Sequence, residues 1–517
     1  MNAVPDFLRQ FQIDLHDFLA PATIWLTTAY IVVLAVLVVY GLHRYWLVYL
    51  FRRYGRDALQ KHDQTPISRK NYRPRITVQL PMFNEPQVAR RVIEAACKID
   101  YPAELLQIQI LDDSTDDCVE ICEQVCREMR EAGHDVEFRH RTSRVGYKAG
   151  ALEEAMECAT GELIAVFDAD FVPPPTILRD VVDYFEDPEV GMVQTRWEHL
   201  NRTASPLTRC QAIFLDGHFV IEQTARNRAG RWFNFNGTAG VWRRECIADA
   251  GGWQHDTLTE DVDLSYRAQM KGWRFIYDPS IECPAELPPC ITAFNSQQHR
   301  WSKGSVQTAI KLLPSIFRSS APASTKIEAW FHLTSPVVYP FVFMLSLLIF
   351  PAFFVHLSPT KDGSWTGWLF GGTLLALATC SAGTFYVASQ QAQGRGIFKT
   401  ILLLPVLMAI GIGISLNNTR AVLEVLLNIK SPFVRTPKYA GQRKGSLDPA
   451  GRGRRMITRL LPSGVFEAGL GILLLAGGVL SLATNQSLVS LPFLLLFAVG
   501  YLWVGFGTIR DKIVGAG

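Results

Sequence analysis

Six long apolar runs dictate the architecture of this chain. They cover residues 22–50, 330–355, 368–387, 401–416, 465–482 and 488–506. A bilayer core about 30 Å thick needs around 20 apolar residues per helix, and most of these runs reach that length. Core helices of soluble proteins are shorter and keep a polar face, so the pattern predicts a multi-pass membrane protein. Residues 51–313 contain no such run and have ordinary globular composition, with length for a substantial core. The averages conceal this division. The chain is 48% apolar with a net charge of +3, which excludes disorder and offers no basic excess for binding nucleic acid.

The first run follows a mildly acidic head (Asp6, Asp14, Asp17) and lacks a basic region directly before a short apolar core. It reads as a retained anchor, not a cleaved signal. Lys and Arg near the membrane set orientation. Arg44, Arg52, Arg53, Arg56 and Lys61 follow the first run and place the soluble domain in the cytosol. Residues 430–459 hold nine Lys/Arg and one acid, Asp448, so this loop is expected inside as well. Parity then constrains the fourth run. It is short, interrupted by Pro405, Gly411 and Gly413, and followed by Asn417, Asn418 and Arg420. If it crossed, the basic loop would lie outside.

The expected organisation is an extracytoplasmic head (1–21), a span (22–50), the soluble domain (51–313) and an interface segment (314–329). Spans at 330–357 and 366–388 follow, then an interfacial or re-entrant segment (398–427), a basic cytosolic loop (428–460), and spans at 464–484 and 488–508. Cys118, Cys122 and Cys126 recur every fourth residue, a helical stripe. Zinc sites favour CxxC pairs with His partners, so these read as buried apolar cysteines.

Within the soluble domain, short β-branched runs alternate with helical spacing. Strands are expected at 75–80, ending at Pro81, and at 106–111, 136–140 and 163–167, with helices at 86–98, 119–132 and 148–159. Such alternation implies a mainly parallel sheet covered by helices on both faces. Ligands bind such sheets beyond the carboxyl ends of the strands. Asp112-Asp113 and Asp168-Ala169-Asp170 sit at two of those ends, so both clusters should share one crevice.

Residues two apart in an extended chain point the same way, so Asp168 and Asp170 can converge on a hard divalent cation completed by a diphosphate. Asp112 and Asp113 could accept hydrogen bonds from a base or ribose, with helix capping as the rival role for Ser114, Thr115 or Asp116. The segment Arg144 to Gly150 carries two glycines and Lys148 at a helix start, which suits an anion. Thr259-Glu260-Asp261 offers a general base. Gln297, Arg300 and Trp301 precede the membrane block; Trp gives a flat face for a sugar ring and Arg gives donors for a diphosphate, although an interfacial anchor is the competing role.

Together, DDS, KAG, DAD, TED and QxxRW in this order before a membrane block resemble the processive family 2 glycosyltransferases, such as cellulose synthase. The wording of Gln79–Glu85, Leu111–Asp116, Gly146–Leu152, Phe167–Phe171, Phe235–Arg243 and Gln297–Gly304 is closest to the plant cellulose-synthase-like A and C mannan and glucan synthases. Phe433 to Lys438 resembles a gating loop FxVTxK, with Arg435 in place of Val.

The resemblance implies a GT-A-type α/β domain inserted between transmembrane helices, and a processive, inverting hexosyltransferase. Asp112, Asp113, Lys148, Asp168 and Arg300 would hold the donor. Asp170 and Asp168 would bind Mg²⁺ or Mn²⁺, and Asp261 would be the base. Gln297, Trp301 and Glu260 would form the acceptor end, and Phe433, Thr436 and Lys438 the gate. Implied partners are a nucleotide sugar (GDP-mannose or UDP-glucose), a growing β-1,4-linked polysaccharide, the bilayer and accessory export proteins. The modest length and the absence of a plant-like N-terminal targeting segment fit a bacterial inner membrane. The rival activities are single-sugar addition to a lipid, transport, or an inactive scaffold. Transport would require intramembrane charges facing a pore; His332, His356 and Glu467 lie at span edges.

Overall fold

The structure, a computed structural model, describes residues 20–59, 72–356, 365–429, 464–483 and 491–514, together with Gln10 and Asp14. Phe433, Arg435, Thr436 and Lys438, and with them the gating-like loop, lie outside the described residues.

Seven strands form one sheet: β1 (Ile76–Met82), β2 (Leu106–Asp112), β3 (Val136–His140), β4 (Leu163–Val166), β5 (Val190–His199), β6 (Gly240–Arg243) and β7 (Arg274–Ala285). Their order is β3-β2-β1-β4-β6-β5-β7. Only β6 runs against its neighbours; the other pairings are parallel. This is the mainly parallel sheet that the strand–helix alternation implied, and the GT-A-like mixed sheet that the resemblance implied. β1 does not end at Pro81 but continues to Met82. β4 pairs with β1 only as far as Gln79, so Pro81 stands where one flank of β1 has no strand neighbour and its missing N–H is tolerated.

Both faces of the sheet are covered. On one, helices Pro86–Cys97, Cys118–Glu131 and Ile177–Val182 pack over β1, β2 and β4. Cys118, Cys122 and Cys126 lie in this core, fully buried, as the four-residue spacing indicated. On the other, helices Tyr147–Ala155, Arg244–Asp249 and Glu260–Met270 pack with Phe235, Trp242 and Trp253. Each large apolar side chain buried in these layers contributes roughly 1.5–3 kcal/mol.

Among the described residues, four helices are long and apolar enough to cross a membrane: Ile24–Gly55, Ala323–Ile349, Ile397–Leu426 and Leu491–Ile513. A further 28-residue helix covers Trp365–Ala392, and Val465–Ala483 adds a 19-residue one. Pro405 and Gly411 do not interrupt the Ile397–Leu426 segment, but its first helix, Ile397–Gly413, ends at Gly413, and after a step at Ile414 the second, Ser415–Leu426, follows. A Cβ on Gly413 would fall 2.3 Å from the Gly500 carbonyl oxygen, so this glycine is where two helix backbones touch, a close crossing that small residues permit. The same segment packs on the soluble domain, where Leu407, Ile410 and Ile414 meet Leu207, Cys210, Ile213 and Phe294.

Candidate active site

The acidic clusters do sit at strand ends, in two different settings. Asp112 closes β2 and is fully buried. Its Oδ1 accepts from the Ser114 N–H at 3.2 Å and its Oδ2 lies 2.7 Å from His140 Nδ1. Asp113 accepts a two-pronged contact from Arg141, Nε to Oδ1 and Nη2 to Oδ2, both at 2.7 Å. The Arg144 guanidinium sits 3.2 Å above the Phe83 ring. The outermost groups of this wall are therefore arginines and an aromatic ring, with Asp113 holding Arg141 from behind and Asp112 holding His140. Asp116 takes the capping role, its Oδ1 accepting from the Cys118 N–H at 3.1 Å.

The turn Val145–Tyr147 bends through left-handed conformations at Gly146 (φ 73°) and Tyr147 (φ 50°), and Gly150 has no room for a Cβ beside the Val145 carbonyl. This tight turn aims Lys148 inward. Its Nζ donates to Asp168 Oδ1 at 2.5 Å and to the Gly237 carbonyl at 2.8 Å. Burial works against the ammonium, but Asp168, Glu260 and Asp261 outweigh it and raise the Lys148 pKa. Asp168 is fixed from its own backbone too, its N–H donating to Thr238 Oγ1 at 2.8 Å. Asp170 is 8% exposed, and its carbonyl accepts from Arg91 and from the Glu286 N–H. A magnesium- or manganese-type ion is commonly held by one or two carboxylates and substrate phosphates, and the Asp168 and Asp170 carboxylates are a donor set of that kind.

Asp261 joins this group from the far side. It lies in the first turn of helix Glu260–Met270. Gly237 (φ 81°) is the junction: a Cβ there would stand 3.1 Å from Asp261 Oδ2 and 3.6 Å from Lys148 Nζ. Burial and the neighbouring Glu260 push the Asp261 pKa up to about 7, against the opposing pull of the Val262 N–H and Lys148. A base is most effective with its pKa near the working pH.

The loop that carries Asp261 is held by helix Ile291–Arg318. Gly304 lets the two backbones approach, since a Cβ there would sit 2.4 Å from Thr259 Cγ2. Gln307 accepts from the Leu258 N–H at 2.9 Å, and Lys311 binds Asp263 at 2.9 Å. Gln297 and Trp301, four residues apart and so on one face of this helix, line a cavity of about 520 Å³ that also reaches Asp261. Arg300 is not among the residues lining it. The cavity continues between Tyr40 and Arg44 of the first membrane helix, Tyr339, Phe385 and Phe497.

Sequence reasoning missed several groups on this wall. Trp197 stands with its ring centre 6.5 Å from that of Trp301. His218 and Glu222 lie on the π-helical turn Gly217–Gln223, and Asn236 precedes the Gly237 junction. Behind them a buried chain of ion pairs runs from Glu222 through Arg226 and Glu328 to His43. The one sequence signal was a His and a Glu four residues apart in an otherwise apolar helix.

Residues 74–304, within the domain between the apolar runs, match the family described as glycosyltransferase like family 2. Similar curated proteins include glucomannan 4-beta-mannosyltransferase 2 of Arabidopsis thaliana, 39% identical over 302 residues, covering 57% of this chain and 55% of that protein. The probable glucomannan 4-beta-mannosyltransferase 6 of Oryza sativa subsp. japonica is 40% identical over 284 residues, covering 54% and 48%. The chain thus spans about half the length of the curated relatives it matches. Among solved structures, the mannosyltransferase PcManGT from Pyrobaculum calidifontis in complex with GDP-Man and Mn2+ aligns with a TM-score of 0.49 at 24% identity, over 70% of this chain and 97% of that one.

Proposed function

We propose that the protein is a membrane-embedded, inverting hexosyltransferase that extends a β-1,4-linked polysaccharide from a nucleotide sugar and feeds the product into its own membrane helices. The observation that carries this reading is the single cavity running from Asp261 and Trp301 into the space between membrane helices. An enzyme adding one sugar to a soluble acceptor has no use for such a passage. The names of the curated relatives favour mannose, hence GDP-mannose as donor, over UDP-glucose.

The donor lies over Lys148, Asp168 and Asp170, with its base toward Arg141, Arg144 and Phe83. Asp170 and Asp168 would hold a divalent cation, which when bound would supply neutralisation of charge on the diphosphate. Lys148 adds a fixed positive charge beside the same oxygens. The acceptor sugar rests against Trp301, and its hydroxyl is directed at the anomeric carbon from the face opposite the leaving group. Asp261 takes the proton from that hydroxyl as the new C–O bond forms. No covalent enzyme intermediate is required, and inversion follows from one displacement. Arg300 and Glu260 assist from the rim, by diphosphate contact and by tuning Asp261.

The basic residues after the first membrane helix support a cytosolic catalytic domain. The packing of Ile397–Leu426 on that domain supports an interfacial position for the segment. Incubating the purified protein with GDP-mannose or with UDP-glucose, followed by linkage analysis, tests the function. Long β-1,4 chains are the expected product. Only one sugar per acceptor refutes processive synthesis, and a glycolipid product would favour the lipid-acceptor activity.

A further inference from the structure

Helix Cys118–Glu131 follows the turn that closes β2, and two of its thiols meet a carboxylate from that turn. Cys118 and Cys122, one helical turn apart, bring their Sγ atoms to 3.8 Å. An oxygen of Asp112 joins them, and the three ligand atoms lie within 4.8 Å of one another. All three side chains are fully buried. A tetrahedral zinc-type ion with metal–sulfur bonds of about 2.3 Å holds its sulfurs about 3.8 Å apart, which is the separation found here. The helical spacing of the cysteines explains their burial but not the charged group between them and the strand end. Cys126, one turn further on, is turned elsewhere, its Sγ donating to the Val136 carbonyl at 3.6 Å.

The surroundings favour the metal-bound form of each ligand. Cys118 is the first residue of its helix, where the helix dipole favours a thiolate. The Cys122 thiol and the Ser114 hydroxyl donate to it and lower its pKa against the effect of burial, while Cys118 and burial raise that of Cys122. The pair therefore shares a proton between two sulfurs, and a cation can take that place. The carboxylate is held as well: the Ser114 N–H donates to Asp112 Oδ1 at 3.2 Å, and His140 Nδ1 lies 2.7 Å from Oδ2. Ligating carboxylates commonly carry such outer partners. His140 is 30% exposed, so this group has one edge at the solvent. Thiolates select zinc-class ions, whereas magnesium and manganese prefer oxygen ligands, so the cluster differs in kind from Asp168 and Asp170.

We propose that Asp112, Cys118 and Cys122 form a structural site for a zinc-class ion, with His140 as a positioning residue on Asp112. Binding releases both thiol protons and leaves one coordination position for a water molecule. The ion ties the end of β2 to the start of the helix that packs behind it. Asp113 leaves the same turn to hold Arg141, so the ion stiffens the arginine wall. Such a site fills as the chain folds, and its binding free energy adds to folding; it needs no channel from the cavity. The site stands independently of the reaction proposed above.

The test uses the full chain in lipid nanodiscs, kept reduced, with millimolar Mg²⁺ present to occupy oxygen-ligand sites. Protein expressed with added Zn²⁺ is analysed for metal by mass spectrometry, and protein expressed with Co²⁺ in its place is scanned for thiolate-to-cobalt charge transfer. One zinc per chain and a charge-transfer band are expected. The band should vanish in Cys118→Ser and Cys122→Ser and persist in Cys126→Ser. His140→Ala should keep the band and bind Co²⁺ about 10–100-fold more weakly, read by competition with a chelating dye. Wild-type protein with no zinc and no charge-transfer band overturns the site, and that result requires no variant to fold. A band that survives in folded Cys118→Ser or Cys122→Ser, or that falls equally in Cys126→Ser, also overturns it.

Discussion

Asp261→Asn should remove activity and stabilise the protein at the same time. The carboxyl is pushed up to about 7 from an ordinary 3.8, first by burial and then by Glu260. Loss of general-base assistance costs about 10²–10⁴-fold in rate, roughly 3–5 kcal/mol of barrier, while nucleotide binding survives. Between about pH 3.8 and 7 the folded state keeps a proton at this site that the unfolded chain has released. Stability therefore falls as pH rises across that window, and the full cost is present above it. At 1.36 kcal/mol per pH unit, the gap between 3.8 and about 7 amounts to about 4 kcal/mol at most. Asn carries no charge and escapes this cost. Thermal unfolding in detergent should show the variant more stable than wild type at pH 8, with the difference nearly gone at pH 4. The wild-type kcat/KM should fall about tenfold per pH unit below 7, and Glu260→Gln should move that limb to lower pH by removing the repulsion. Equal stability of Asp261→Asn and wild type at pH 8, or an acid limb that Glu260→Gln leaves in place, would refute the assignment of Asp261 as a buried base tuned by its neighbour.

Gly304→Ala should cost about 1–3 kcal/mol from overpacking and lower kcat more than it alters donor affinity, because the added methyl meets Thr259 and moves the Asp261 loop; parallel melting and nucleotide titrations check this. Chelation should abolish transfer and added Mn²⁺ or Mg²⁺ restore it, whereas Asp170→Asn should need much more metal for half-maximal activity, read from a metal titration of the initial rate. Trp301→Ala should shorten the polymer and raise the donor hydrolysed per sugar incorporated, and Trp301→Phe should recover part of both, as product sizing would reveal. Lys303→Met should be destabilising by about 1.5–3 kcal/mol, the range for losing a hydrogen bond to a charged group, because Arg420 and His299 still contact Glu424; Lys303→Met combined with Glu424→Leu should regain part of the loss in the same melting assay.

The soluble fold was legible because strand and helix periods differ and each run is bounded by Gly, Pro or an acidic turn. The apolar cysteine stripe and the strand-end aspartates could be placed for the same reason. The acceptor wall was not legible. Trp197 lies on a strand between Arg196 and Glu198 and belongs to no motif, and His218 and Glu222 flank Phe219, Val220 and Ile221, whose apolar run reads as packing. What brings them together is contact between the soluble domain and membrane helices, over separations that no local period records. The stop at Gly413 was legible, since a glycine followed by polar residues is an ordinary helix-stop signal and the helix ends there; the close approach of the Gly500 backbone, which its missing side chain admits, was not. The internal role of Asp511 was equally hidden. In sequence it looks like part of a charged tail, but it is fully buried and accepts from the Ile291 and Thr292 N–H groups, satisfying the start of a helix more than 200 residues earlier.

That helix, Ile291–Arg318, explains why catalysis and membrane passage should act as one unit. Its first turn is capped by Asp511 of the last membrane helix. Its middle presents Gln297 and Trp301 to the cavity, and its next turn grips the Asp261 loop through Gly304 and Gln307. Between these contacts, buried Lys303 binds Glu424 at 2.9 Å and the Ile429 carbonyl at 2.7 Å, the residue at which the basic loop begins. A packed helix resists bending over one or two turns, because its neighbours fill space at near-crystalline density. A shift at either membrane contact must therefore reach Trp301 and the Asp261 loop nearly undiminished. In the proposed reaction, an acceptor advancing by one sugar would move past Trp301 into the membrane helices, so the element that met it would be the same one that holds the proposed base. Coupling of this kind needs no separate relay: the catalytic loop and the passage share a wall.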